Sequence, residues 1–122
     1  PVWVNGDFAA LERCAINLLQ NAVSYSTPET AISIGLDLAR TGVRFWVENA
    51  GSELGTDEMD HLFERFARGE RRASSPAGTG LGLYYVRTVA EKHGGSAGVD
   101  CTDGMIRFWI WLPTTQAGSI LG

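Results

Sequence analysis

Cysteine and histidine are scarce: the 122 residues hold two of each. Cys14 and Cys101 show no CxxC spacing, and His61 and His93 stand apart from both, which excludes the clustered ligand set of a structural zinc site. The same scarcity predicts two buried thiols in a reduced compartment rather than a disulfide framework. Long apolar runs are absent too; no window approaches the roughly 18 consecutive residues that a bilayer span needs, so no membrane insertion by this segment is expected. Basic residues number ten against fourteen acidic ones, a net charge of −4. That balance argues against a general nucleic-acid binder, which needs clustered Lys and Arg to neutralise phosphates. Fifteen glycines and four prolines are too few for a fibrous chain, and 44% hydrophobic residues are too many for a disordered one. The opening Pro-Val-Trp-Val carries neither a basic leader nor an initiator Met. A piece of a longer protein is expected, with one domain over 1–115 and a frayed tail over 116–122.

What is present is periodic. Val2-Trp3-Val4 before Asn5-Gly6 reads as a short strand and turn. Asp7 stands where a helix N-cap belongs, followed by Phe8, Leu11, Ala15, Leu18, Ala22 and Tyr25 at helical spacing up to Ser26-Thr27-Pro28. Ile32 to Leu38 and Val43 to Val47 alternate with period two around Arg40-Thr41-Gly42, a hairpin. Thr56 is placed to cap a short helix carrying Asp57 and Glu58 in its first turn, with Met59, Leu62, Phe63 and Phe66 as its apolar stripe. A third helix is predicted from about Gly80 to His93, stopped by Gly94-Gly95. A second hairpin turns at Asp103-Gly104 between the faces Ala97, Val99, Cys101 and Ile106, Phe108, Ile110, Leu112. The fold class follows: a two-layer α/β (α+β) sandwich, a mixed, mostly antiparallel sheet of about five strands with three helices on one face. Trp46, Trp109 and Trp111 alternate opposite the aliphatic faces, which predicts cross-strand aromatic packing on the open side of the sheet.

Four segments carry chemistry. Asn17 and Asn21 lie one turn apart on the first helix, although asparagine is a poor interior helix former. Two readings stay open: polar residues on the helix edge, or amide oxygens aimed into a cleft as hard ligands for Mg²⁺. Gly78-Thr79-Gly80-Leu81-Gly82-Leu83 opens the third helix, where glycines permit close approach and the helix entrance attracts an anion. Its spacing is neither GxGxxG nor a Walker A loop. Arg65, Arg68, Arg71 and Arg72 fall within eight positions just upstream, either a solvated loop or a phosphate-pairing lid. Glu48-Asn49-Ala50-Gly51-Ser52-Glu53 leaves a strand end, where Asn49 could accept from an exocyclic amine and Gly51 admit a flat ring.

In this order the segments resemble the ATP-binding catalytic domain of bacterial sensor histidine kinases, within the GHKL superfamily. Asn17-Leu18-Leu19-Gln20-Asn21-Ala22 is similar to the N box, Asn49 to Glu53 to the first glycine box, Phe63-Glu64-Arg65-Phe66 to the F box, and Gly78 to Leu83 to the second glycine box. The resemblance runs from about Val4 to Pro113 and implies a Bergerat-type ATP-binding fold. It implies ATP and Mg²⁺ as ligands, with Asn17, Asn21 and Arg65 as the catalytic set. Asn21 matches the Mg²⁺-coordinating position and Asn17 supports metal and phosphates. Tyr25 lies near adenine and ribose, Asn49 and Gly51 at the base. Arg65 and Arg68 match lid-side phosphate contacts, and Gly78, Thr79, Gly80, Leu81 and Gly82 match the phosphate-binding lid end. Asn49 replaces a usual aspartate, Glu53 a glycine and Ser24 a lysine. Asn17 stands where hydrolytic branches carry glutamate; as a poor general base it favours transfer over hydrolysis. The implied acceptor is a histidine on a separate dimerisation domain of the same protein, with a response regulator downstream. His61 and His93 are expected to be structural. The implied location is cytoplasmic, in a membrane-anchored sensor. Two other readings fit the same residues: a nucleotide-free regulatory module of this fold, and a serine protein kinase of the same superfamily.

Overall fold

Asp7 caps the first helix as its position predicts: its carboxylate accepts the Ala10 N–H at 3.0 Å. The computed structural model describes residues 3–51, 54–64 and 81–115. Its elements are α1 (Phe8–Tyr25), β1 (Ile32–Leu38), β2 (Gly42–Ala50), α2 (Thr56–His61), α3 (Gly82–Lys92), β3 (Ser96–Thr102) and β4 (Met105–Pro113). The four strands form one antiparallel sheet in the order β1-β2-β4-β3. The expected fifth strand at Val2-Trp3-Val4 reduces, among the described residues, to a single bridge between Trp3 and Thr115. One bridge cannot extend a ladder, so the described sheet has four strands.

Helix α1 lies over β2 and β4, and α3 lies over β4 and β3 while packing against α1. Between the layers, Leu18, Ala22 and Tyr25 of α1 meet Val47 of β2, Leu83, Val86 and Ala90 of α3, and Ile106 and Phe108 of β4. Each large side chain withdrawn from water here contributes about 1.5–3 kcal/mol before its entropy cost. The apolar stripe of α1 drifts at its start: Phe8 is exposed and Leu11 and Ala15 are only half-buried. Among the described residues no helix packs over edge strand β1, where Ile34, Leu36 and Leu38 are exposed although their register places them on the inner face.

The turns obey local rules. Helix α3 ends in a Schellman arrangement, with Gly94 at φ +79° and the Gly95 N–H on the Ala90 carbonyl at 2.8 Å. Asp103 and Gly104 both take positive φ between β3 and β4, the backbone a tight hairpin demands. The start of α2 differs from expectation: Gly55 is its N-cap and Thr56 its first helical residue, and no side chain caps it.

On the open face one cross-strand row reads Gly35, Trp46, Trp109, Gly98. A Cβ on Gly35 would fall 2.2 Å from the Trp46 ring, and one on Gly98 2.4 Å from that of Trp109. Each indole therefore lies flat over a glycine of the adjoining strand. Above them, Arg107 sits 3.8 Å from the Trp46 ring centroid and Arg44 4.1 Å from that of Trp109. Arg107 also pairs with Glu48 at 3.0 Å, and the Trp46 N–H donates to Asp37 at 3.2 Å. The expected aromatic packing is present on this face of the sheet. Gly98→Ala forces Trp109 from beneath Arg44 and is expected to cost about 1–2 kcal/mol, read as a lower urea midpoint at unchanged m-value.

Both cysteines are free thiols, Cys14 buried in α1 and Cys101 half-buried in β3. Burial pushes the Cys14 thiol up to about 11. At pH 8 only about one molecule in a thousand then carries the thiolate. Iodoacetamide labelling of Cys14 is expected to be undetectable in the folded chain within an hour and complete in 6 M guanidinium; peptide mass mapping reads both. His93 is structural: its Nε2 accepts the Asp7 N–H at 3.0 Å and its Nδ1 bonds the Val89 carbonyl oxygen at 2.8 Å, tying α1 to the end of α3. His61 is exposed, and a hydrogen bond to the Asp57 carbonyl, reinforced by Glu64, raises its pKa.

Candidate functional site

Three asparagines are the only buried polar side chains among the described residues: Asn17 is 8% exposed, Asn21 2% and Asn49 0%. On α1 the core stripe of Cys14, Leu18 and Tyr25 leaves Asn17 and Asn21 at its margin, facing the start of α3. Alternation on β2 turns Asn49 inward beside Ile106 of β4. The sequence therefore brings two residues of one helix and one of a strand end to the same side of the core.

Each amide nitrogen is held by a backbone carbonyl. Asn17 Nδ2 donates to the Gly82 carbonyl at 3.2 Å, Asn21 Nδ2 to that of Asn17 at 2.8 Å, and Asn49 Nδ2 to that of Ala50 at 3.1 Å. With its NH₂ end fixed, each amide turns its oxygen the other way. For Asn49 that oxygen is buried with no hydrogen-bond partner. Such an acceptor costs about 1–3 kcal/mol in an isolated fold.

The end of β2 is clamped around this oxygen. Ala50 accepts the Thr27 N–H at 2.7 Å, and the Gly51 N–H donates to the Gly104 carbonyl at 3.0 Å. A Cβ on Gly51 would sit 2.7 Å from the Tyr25 carbonyl oxygen, so only glycine lets the strand pass so close to α1. Tyr25 itself is 2% exposed, its ring 5.7 Å from that of Phe108; it supports the clamp from the core side. Thr27 and Gly104 were legible only as a helix stop and a turn, and nothing in the sequence marks them as this clamp.

At the other end of the site Leu81 is the N-cap of α3, and no described side chain bonds there as a cap. A Cβ on Gly82 would lie 3.7 Å from Asn21 Nδ2 and 3.9 Å from Asn17 Cβ, ordinary contacts. Among the described residues, packing does not demand glycine there. A helix entrance beside two amides suits an anion accompanied by a hard cation. Among the described residues no cluster of three or more His, Cys, Asp or Glu could hold a metal. A cation at Asn21 would thus take most of its shell from phosphate oxygens and water, the usual habit of Mg²⁺. Of the expected site residues, Asn17, Asn21, Tyr25, Asn49, Gly51, Leu81 and Gly82 are placed as above. Arg65, Arg68, Gly78, Thr79 and Gly80 lie outside the described residues.

Residues 6–116 match the family of histidine kinase-, DNA gyrase B- and HSP90-like ATPases. The chain belongs to this family. Its relatives fall on the sensor histidine kinase branch of these ATPases. The sensor histidine kinase TrcS of Mycobacterium tuberculosis is 36% identical over 121 residues, 95% of this chain and 24% of that protein. The probable sensor histidine kinase TcrY of the same organism is 37% identical over 114 residues, 93% and 24% of the two. The chain thus spans about a quarter of the length of these relatives. Among solved structures, the mycobacterial sensor histidine kinase MprB superposes with a TM-score of 0.83 at 32% identity, over 93% of this chain and 78% of that one. The nucleotide-free catalytic domain of the histidine kinase ThkA gives 0.78 at 27% identity, over 93% and 73%. The sandwich of this ATPase-family domain is accordingly the kinase-type fold.

Proposed function

We propose that the chain binds Mg-ATP between α1 and the entrance of α3 and positions the γ-phosphoryl for transfer to a histidine on a separate dimerisation domain. The unpartnered, fully buried oxygen of Asn49, aimed where a base would lie, carries this reading most directly. It accepts a hydrogen bond from the adenine amine, and Gly51, by letting the strand end pass close to Tyr25, keeps it in place. Asn21 offers an amide oxygen to the cation, and the start of α3 receives the phosphates. Mg²⁺, when bound, supplies charge neutralisation at the phosphoryl oxygens. Arg65, Arg68 and the glycines from Gly78 to Gly80 enter as lid-side phosphate contacts on the strength of the sequence resemblance.

The residues orient and shield; none is a strong base. Asn17, in place of a glutamate, cannot take a proton from water, so positioning and electrostatics favour transfer to a protein acceptor. The relatives' names as sensor kinases support an acceptor histidine in the same protein and a response regulator beyond it. They also support a place on the cytoplasmic side of a membrane-anchored sensor; among the described residues no helix is long and apolar enough to cross a membrane. Titration calorimetry with ATP in Mg²⁺ and in EDTA tests the proposal. Saturable binding tightened by Mg²⁺ is expected. Absence of binding by the intact chain favours the regulatory-module reading.

A further inference from the structure

The hydrogen bond from Asn17 to Gly82 does something a pair of metal ligands would not. It joins two elements 65 residues apart in sequence, and it is a tertiary side-chain bond between α1 and α3 at the candidate site. Gly82 is the first residue of α3. The Asn17 backbone carbonyl in turn receives the Asn21 amide at 2.8 Å. A continuous chain of bonds therefore runs from the Asn21 amide through Asn17 to the helix that would receive the phosphates.

We infer that Asn17 is a positioning residue: its amide N–H latches the start of α3 to α1 and fixes the distance between the Asn21 amide and the anion-binding helix entrance. The inference rests on the nucleotide site proposed above and assigns Asn17 a role other than metal ligation. The essential atom is a donor nitrogen, not an oxygen. A carboxylate at position 17 keeps every metal-binding capacity of the amide and exceeds it, yet sets an acceptor against the Gly82 carbonyl. Metal ligation and latching thus predict opposite outcomes for one substitution.

Asn17→Asp is the decisive variant, with Asn17→Ala beside it to remove the donor without adding charge. Hydrogen exchange in the nucleotide-free chain reads the latch, because the N–H groups of Val86 and Arg87 bond back to the first turn of α3. Both variants are expected to speed exchange there three- to tenfold while β2 and β4 amides keep wild-type protection, which certifies folding. ATP affinity is expected to fall about tenfold in Mg²⁺ and by the same factor in EDTA. Unchanged exchange at Val86 and Arg87 in Asn17→Ala overturns the latch. So does an affinity change in Asn17→Asp that appears only with Mg²⁺, which marks a metal ligand. If the wild type binds no ATP while the exchange effect is present, the latch stands as a structural bond and the nucleotide reading falls.

Discussion

Asn21→Ala is expected to weaken Mg-ATP binding at least a hundredfold, about 2.7 kcal/mol, while leaving stability within about 1 kcal/mol of wild type. The two halves of that expectation have separate causes. Asn21 is 2% exposed and its amide bonds the carbonyl of Asn17, one turn back. That carbonyl is also the ordinary helical acceptor for the Asn21 backbone N–H, so truncating the side chain does not orphan it. Alanine also suits a helix interior better than asparagine by roughly half a kcal/mol, which offsets the small void left behind. Binding has no such compensation. The described part of the site offers no carboxylate cluster, so a cation there has few protein oxygens to lose. Calorimetry with ATP in Mg²⁺ and in EDTA, paired with urea denaturation, measures both halves. Binding within threefold of wild type in Mg²⁺, with the fold intact, would remove Asn21 from the site. A loss of several kcal/mol in stability would instead make it a structural amide whose effect on ATP is indirect.

Much of this architecture was legible because its determinants are local. The Asp7 cap, the period-two alternation of β1, β2 and β4, Gly94 at the end of α3 and the Asp103-Gly104 turn each rest on a few adjacent residues, and each appears where expected. The errors arose where tertiary context decides. Val2-Trp3-Val4 has strand composition, but the described chain gives Trp3 only the single bridge to Thr115. Thr56 has cap chemistry, but Gly55 supplies the extended backbone and takes the position. Phe8 continues the helical stripe in sequence, yet α1 overhangs the core at its first turn and leaves the ring exposed. The site divides in the same way. Two asparagines inside a helix and a glycine-rich helix entrance announce themselves as poor choices for packing alone. The fixing of each amide by a carbonyl does not, because the Gly82 carbonyl reaches Asn17 only after two helices have packed. Equally hidden was the laying of Trp46 and Trp109 over glycines of neighbouring strands, which depends on a register that no single strand encodes.

Asn49→Leu is expected to make the chain more stable and a poorer nucleotide binder at once. Leucine matches asparagine in branching and in number of heavy atoms, so the substitution leaves no cavity in this fully buried site on the inner face of β2. The substitution removes an unpartnered buried oxygen. It also removes the amide bond to the Ala50 carbonyl, but that carbonyl keeps the Thr27 N–H at 2.7 Å. Deleting an unsatisfied acceptor while its neighbour stays satisfied is neutral to stabilising, here by about 1 kcal/mol, or a rise in Tm of about 3–5 °C for a domain of this size. Recognition moves the other way. With no acceptor for the adenine amine, affinity for ATP is expected to fall 30- to 100-fold, about 2–2.7 kcal/mol. Inosine triphosphate supplies the control, because it carries a 6-oxo group where adenine carries the amine. Wild type should prefer ATP, since the Ala50 carbonyl holds the Asn49 amide with its oxygen toward the base, and oxygen facing oxygen repels. In Asn49→Leu that preference should collapse toward parity. A variant that loses stability and keeps the wild-type ratio of the two affinities would show that Asn49 serves the core and that the base is chosen elsewhere. The predicted gain in Tm matters as much as the loss in affinity: a residue that costs the empty fold stability is explained by the ligand it meets.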